Sequence, residues 1–372
     1  MKKVLFSAAL FFTACAVSAQ ESVVKEAKSA KSDPVKAAQI IEPALTDPST
    51  ANDPETWKLA GDFQKSIYDD ENMKLYLPGG QADTAKLYNS LAKMFEYYTK
   101  CDEVEQAKVQ SGELKKPKLR KKLAKTLATV RPQLTNAGSD AYNAGNYANA
   151  LKFFGLYVDA PQNPLFADED AVKNDTLTPL IANYAALAAN SLKDNAAVIK
   201  YATIGKEHKE EGYRSLMCLA EAYGKGETPD SAKWLTTIQE GVEKFPSQEY
   251  FIGNLMDYYI QKGKIDEGLA QMDAVLAAVP QQRLEHVFLA GGHDDQDVPD
   301  ARLHEDGHGI VNQRLIVHRQ QRFADRTGHG VQAGAFARGQ NDTFHMFIVS
   351  FSTSHSFFVP KLYHPRPITV NE

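Results

Sequence analysis

The stretch NAGSDAYNAGNYANALKFFGLYVDAP, residues Asn136 to Pro161, decides the fold of this chain. Its first half places small residues and one ring on a single helical face: Ala137, Gly138, Ala141 and Tyr142. Gly145 and Asn146 interrupt this pattern, and a second apolar stripe follows: Tyr147, Ala150, Phe154 and Val158. The pattern predicts two short antiparallel helices joined by a tight turn. Small residues are needed at the crossing because larger side chains would keep the two helices apart.

This stretch resembles the tetratricopeptide repeat (TPR) family, whose 34-residue motif has small residues, a turn glycine, an alanine, an aromatic residue and a proline at fixed stations. Gly138, Gly145, Ala150 and Phe154 occupy the first four of these stations. Pro161 lies one residue early, and the unit begins at Arg131, with Ala141 where the family has a tyrosine.

The same register continues along the chain, with further units beginning at Pro179, Tyr213 and Glu249. The third unit carries two additional residues in its turn, and Pro246 and Pro280 are again 34 residues apart. Four related units therefore occupy residues 131–280, interrupted by an insertion around Gln162 to Asp175. The resemblance implies an all-α chain that forms a right-handed α-solenoid of TPR-like helix hairpins. In such a solenoid each hairpin covers the apolar face of its neighbour.

Residues 20–130 have a looser pattern, which predicts divergent N-terminal helical repeats. The segment from Trp57 to Phe63 is typical of the first helix of a unit, and Thr84 to Gln106 has the amphipathic pattern of a second helix. Pro78, Gly79 and Gly80 lie in the polar segment between them, which indicates an inserted loop rather than one continuous helix.

A basic run, ELKKPKLRKKLAK, extends from Glu113 to Lys125. We interpret it as the solvated face of a helix in a lysine-rich body, since charge runs usually face solvent. The alternative is contact with an anionic surface.

The first residues have the features of a bacterial secretory signal peptide. Lys2 and Lys3 precede an apolar run, and small residues precede Gln20, so residues 1–19 are predicted to be removed after Ala19. Cys15 could instead be a lipidation site. The run is too short to span a bilayer, and no later stretch reaches the length of about 20 residues that a span requires. We expect a periplasmic or envelope-associated protein with no transmembrane span, in which Cys101 and Cys218 are two buried free thiols.

Composition changes abruptly near residue 280. Before it the chain has 30 Lys, 3 Arg and 1 His, whereas after it come 1 Lys, 8 Arg and 9 His. We expect residues 281–372 to be a poorly structured or mixed tail, and we hypothesise a shifted reading frame or a joined gene fragment. The tail contains HEDGH, from His304 to His308, which is the spacing of zinc peptidases. Gly307 and Gly309 weaken the helix that such a site needs, so we predict no metal site.

The net charge and the motifs of the chain exclude several classes of function. A net charge of -5 and a pI near 6.1 predict no broad basic face and no nucleic-acid partner. The chain has no nucleophile elbow, no phosphate-binding glycine loop and no paired-cysteine metal site. We therefore predict that the protein is not an enzyme, has no catalytic residues and requires no cofactor.

The TPR resemblance implies a scaffold that binds a protein or peptide partner in the bacterial envelope. In this family the first helices of the units line a groove, and its groove positions fall on seven residues here: Asn183, Asn190, Arg214, Glu221, Lys225, Tyr250 and Asp257. One alternative is a structural or assembly component of an envelope complex. A second is metal-dependent hydrolysis through the HEDGH stretch.

Overall fold

The computed structural model describes residues 21–226 and 228–278, which belong to one compact unit. Every regular element within these ranges is a helix, so the predicted all-α class is confirmed. The predicted signal peptide of residues 1–19, with Cys15, lies outside the described residues. So does the predicted tail of residues 281–372, with its HEDGH stretch.

The N-terminal helices begin where the sequence pairs aspartate with proline. After α1 (residues 21–29) come three helices that each start with a proline: α2 (Pro34–Ile41), α3 (Pro48–Ala51) and α4 (Pro54–Lys74). Asp33, Asp47 and Asp53 cap these helices by accepting a backbone N–H in the first turn. Proline suits the first helical position because the N–H that it lacks would have no partner there.

The predicted upstream hairpin is present as α4 and the longer α5 (Thr84–Gln110), which pack along each other. Residues 75–83 form the loop between them, and α6 (Arg120–Val130) follows. Gly61 of α4 faces the ring of Tyr98 of α5 so closely that an added Cβ would lie 3.2 Å from the ring Cζ and closer to two other ring carbons. The glycine is therefore what lets these two helices touch.

Four further hairpins match the four predicted units. Their helices are α7 (Gln133–Asn143) with α8 (Tyr147–Asp159), α10 (Thr178–Ser191) with α11 (Asn195–Gly205), α12 (Gly212–Lys225) with α13 (Ser231–Lys244), and α14 (Glu249–Gln261) with α15 (Ile265–Ala278). The two helices of each hairpin pack together, and neighbouring hairpins pack on one another through α8 and α10, α11 and α12, and α13 and α14. One hydrophobic core runs from Tyr68 to Tyr259 through all of them.

The hairpin turns require a left-handed backbone at one position. Gly145 (φ 74°), Lys193 (φ 58°) and Gly263 (φ 67°) supply it in the first, second and fourth hairpins. In the first two hairpins an Asn or Asp at the next position caps the following helix, Asn146 before α8 and Asp194 before α11. The third turn is longer, as its two additional residues predict, and Asp230 caps α13.

The insertion between the first two hairpins is a folded segment. It contains two short 3₁₀ turns (Ala160–Gln162 and Pro164–Phe166) and α9 (Asp170–Lys173), and Leu165, Phe166 and Val172 are buried. Arg131 fixes the end of this segment: it donates to the backbone oxygen of Tyr157 at 2.9 Å and forms a 2.9 Å ion pair with Asp175. Arg131 is 3% exposed, so this contact lies inside the protein.

Cys101 and Cys218 are free, buried thiols, as predicted. Burial raises the pKa of each thiol to about 12, so both are protonated at neutral pH. Across the described part of the chain, no helix combines the length and the apolar character needed to cross a bilayer.

Candidate binding groove

The predicted groove residues lie on the first helices of the second, third and fourth hairpins. Asn183 and Asn190 are on α10, Arg214, Glu221 and Lys225 on α12, and Tyr250 and Asp257 on α14. Helices α10 and α12 contact each other directly. Spacings of four or seven residues keep the members on each helix along one face.

Three of these residues meet across α10 and α12. The amide Nδ2 of Asn190 donates to Oε2 of Glu221 at 3.1 Å, and Nζ of Lys225 lies 3.9 Å from Oε1 of the same carboxylate. Lys225 is 82% exposed at its side chain, whereas Glu221 is 33% exposed. Glu221 therefore lies between the amide of Asn190 and an exposed ammonium group, and part of its carboxylate remains accessible.

Tyr250 extends this cluster onto α14. Burial raises the pKa of the Tyr250 hydroxyl above its ordinary value, and the negative charge of Glu221 raises it further. The hydroxyl is thus protonated and can donate a hydrogen bond. Asn190, Glu221 and Tyr250 form a polar strip across three successive first helices, and we call these three residues the groove strip.

Arg214 lies near the other end of α12 and is less available. Its Nε is 2.5 Å from Oε2 of Glu211, and its guanidinium lies 5.4 Å from the centre of the Tyr213 ring. Its positive charge also reaches Tyr142 and Tyr184: burial raises the pKa of both hydroxyls, and Arg214 partly offsets this. Arg214 therefore sits among tyrosines of α7 and α10.

Asn183 differs most from the groove prediction. Asn183 is fully buried, its oxygen accepts a hydrogen bond from Ser215 Oγ, and its Nδ2 has no partner among the described residues. It is closed to a ligand because α12 covers it, so the expectation of a groove contact is corrected to a packing role between hairpins. Asp257 is exposed, two turns beyond Tyr250 on the same helix.

Sequence reasoning missed two residues that border the groove. Tyr142 on α7 is hydrogen-bonded to Ser191 on α10 and packs edge to face on Tyr147, with 5.2 Å between ring centres. Its place in the first unit corresponds to a groove position, so the repeat register could have identified it. No local signal marks Ser191, because its contact depends on how the first two hairpins pack.

A cleft lies between α5 and α8. This cleft has a volume of about 550 Å³ and an apolar floor that includes Trp57, Phe95 and Leu156. Charged side chains of both signs surround it, among them Lys152 and Glu103. Its lining residues do not overlap with the groove strip, so substitutions in the two places can be compared.

The groove offers recognition chemistry of mixed type. Asn190, Tyr250, Glu221 and Lys225 present an amide, a phenol hydroxyl, a carboxylate and an exposed ammonium group. Within residues 21–226 and 228–278, no group of His, Cys, Asp and Glu side chains is arranged to hold a metal ion. Compared with known proteins, the chain matches no family model and no curated relative.

Proposed function

We propose that residues 131–280 form a right-handed TPR-like solenoid that binds a peptide or protein segment along its first helices. The observation that carries the proposal is the groove strip, in which Asn190 and Glu221 are hydrogen-bonded across two successive first helices and the charge of Glu221 acts on the hydroxyl of Tyr250 on the next first helix. Each of these three hairpins contributes one residue to the groove strip from its first helix. An extended segment could therefore contact several hairpins in turn.

We further infer that the protein acts by binding rather than by catalysis. Both thiols that could serve as nucleophiles are buried and protonated. The buried carboxylates Glu71, Asp102 and Glu105 hold backbone N–H groups or basic side chains. We infer that these hydrogen-bonded and ion-paired carboxylates stabilise the fold. A binding scaffold requires only the exposed, partly satisfied polar groups that the groove contains.

The proposal places the protein in the bacterial envelope, with a protein or peptide partner there. Its support is the signal-peptide pattern of residues 1–19 in the sequence. A role as an assembly component of an envelope complex is the alternative, and a partner retained in fixed stoichiometry through purification would favour it.

Site-directed photocrosslinking in the native envelope tests the groove. A photoreactive amino acid replaces Lys225 or Asp257, which are exposed in the groove, or Lys152, which is exposed beside the cleft. We expect one partner to be crosslinked from Lys225 and Asp257 but not from Lys152. Adding Glu221→Gln should weaken the crosslink because it removes the charge at the centre of the groove strip. Equal crosslinking from all three positions, or none from the two groove positions, would refute the proposal.

A further inference from the structure

Six lysines project from the segment that joins α5 to α6 and from the first turns of α6. They are Lys115, Lys116, Lys118, Lys121, Lys122 and Lys125, and all six are exposed. We call them the lysine cluster. No acidic residue lies between Lys115 and Lys125, although the whole chain carries a net charge of -5. The cluster is therefore a local positive surface on an acidic protein.

In the part of the chain that the structure describes, no acidic side chain pairs with the lysine cluster. Within the described ranges, none of the six ammonium groups forms an ion pair, whereas lysines elsewhere, such as Lys206 and Lys244, pair with Glu240. The nearest acid in sequence, Glu113, pairs with Lys108 at 2.7 Å. The cluster thus differs from an ordinary solvated helix face, where charges of both signs usually alternate.

Two buried acids of α5 fix the backbone beneath the cluster without pairing with its ammonium groups. Glu105, 2% exposed, accepts the backbone N–H of Lys118 at 2.8 Å and that of Leu119 at 3.0 Å. Asp102, 4% exposed, binds the guanidinium of Arg120 through two contacts of 2.8 Å. The loop is anchored from inside, and its lysine side chains extend from a fixed base.

We propose that the lysine cluster docks on the anionic phosphate headgroups of a lipid bilayer. Clusters of four to eight basic residues are attracted to anionic membrane surfaces, with a contribution from each side chain near the surface. Lysine is a flexible point charge, which suits a diffuse layer of headgroups. Recognition of one carboxylate in an acidic peptide favours the fork of arginine instead, and Arg120 is already occupied by Asp102.

The composition of the segment also distinguishes a membrane from nucleic acid. Residues 111–126 contain no aromatic side chain, so nothing in the segment can stack on a base. The segment exposes no large apolar side chain either, which points to peripheral attachment by charge alone. This surface is separate from the groove strip, so the membrane contact and partner binding can be tested independently.

Vesicle flotation of the full-length protein tests the proposal. Vesicles of phosphatidylcholine are prepared with and without phosphatidylglycerol, and binding is measured at low and high salt. The test variant carries Lys116→Gln, Lys118→Gln, Lys121→Gln and Lys122→Gln. The matched control carries Lys25→Gln, Lys28→Gln, Lys31→Gln and Lys36→Gln, which remove the same charge from other exposed positions. A third variant replaces the four cluster lysines with arginine, and far-ultraviolet circular dichroism checks that all variants are folded.

We expect the natural chain to bind only the vesicles that contain phosphatidylglycerol, and salt to weaken this binding. At about fivefold for each lysine, the test variant should bind about 10²- to 10³-fold more weakly, whereas the control and arginine variants should stay within a few-fold. Equal loss in the test and control variants would show a net-charge effect and overturn the proposal. The proposal would also be overturned if the natural chain bound neither kind of vesicle. Binding to an acidic peptide or an oligonucleotide without binding to the vesicles would overturn it in the same way.

Discussion

Replacing Gly138 with alanine tests how closely α7 and α8 approach each other. A Cβ at this position would lie 2.8 Å from Cζ of Phe154 and closer still to two other carbons of the ring. Phe154 is fully buried in the main core, so the ring has no free space to move into. The added methyl group must therefore displace either the ring or one of the helices.

Two opposing effects set the size of the change. Overpacking a buried site costs about 1–3 kcal/mol, because side chains or backbone must shift. Alanine has a higher helix propensity than glycine, and this difference stabilises the folded state by about 0.5–1 kcal/mol. We therefore expect Gly138→Ala to lower the free energy of unfolding by about 1–2 kcal/mol, which corresponds to a fall in Tm of about 2–6 °C for a domain of this size.

The matched control is Gly253→Ala in α14. An added Cβ there meets nothing within 4 Å, so only the gain in helix propensity remains. We expect this variant to be more stable than the natural chain by about 0.5–1 kcal/mol. Thermal and urea unfolding, followed by circular dichroism, measure both variants.

The two substitutions should therefore change the free energy of unfolding in opposite directions. If Gly138→Ala raised the Tm as Gly253→Ala does, the inferred contact between Gly138 and Phe154 would be wrong. The double variant with Phe154→Leu locates the cause, because a smaller side chain leaves space for the methyl group. In that background the penalty of Gly138→Ala should largely disappear, and an undiminished penalty would mean that the methyl group clashes elsewhere.

Three further substitutions test contacts outside this crossing. Glu71 is buried and accepts the N–H of Asp83 and the ammonium groups of Lys74 and Lys86, so Glu71→Gln should cost about 1.5–3 kcal/mol at neutral pH. The pKa of Glu71 is lowered from 4.5 to about 2, mainly by the hydrogen bond from the Asp83 N–H and next by the hydrogen bond from Lys74. The stabilisation is thus present above pH 4.5 and is lost as the pH falls toward 2. Urea unfolding of both proteins should converge at the acid end of this range, and a constant difference would contradict the assignment. Lys193→Gly should raise the unfolding free energy by about 0.5–1 kcal/mol, since Lys193 has a left-handed backbone, and a lower Tm would argue against strain there. Arg131→Met should cost about 3 kcal/mol in urea unfolding because it removes the cation beside the mostly buried Asp175, although Leu177 N–H and Thr178 Oγ1 still donate to that carboxylate; a loss below 1 kcal/mol would show that the pair is not needed.

The hairpins of residues 131–278 could be predicted because their stations recur in sequence. Gly138 and Phe154 are contact partners in the first hairpin, and Gly61 and Tyr98 are the corresponding pair upstream. Each pair combines a residue without a side chain and a ring on two neighbouring helices. That physical requirement is visible in sequence as a small residue on one helix and an aromatic residue on the next.

The local burial of polar residues could not be predicted in the same way. The repeat register placed Asn183 in the groove, but in the structure Asn183 is fully buried against Ser215 of α12. Likewise Glu105 carries no motif, and its bond to the Lys118 N–H spans 13 residues. A sequence pattern predicts which face of a helix a residue lies on. How closely the neighbouring helix packs on that face decides how far its side chains are exposed to water.

Polar contacts between hairpins share one property that connects fold and proposed function. Asn183 with Ser215 and Asn190 with Glu221 are separated by 32 and 31 residues, and Lys206 with Glu240 by 34. These separations are close to one repeat, as expected when each hairpin contacts only its neighbours. Asn190 and Glu221 are the pair in this set that belongs to the groove strip, so a ligand that binds the Glu221 carboxylate also acts on its contact with Asn190. Partner binding should therefore be coupled to the docking of the second hairpin on the third.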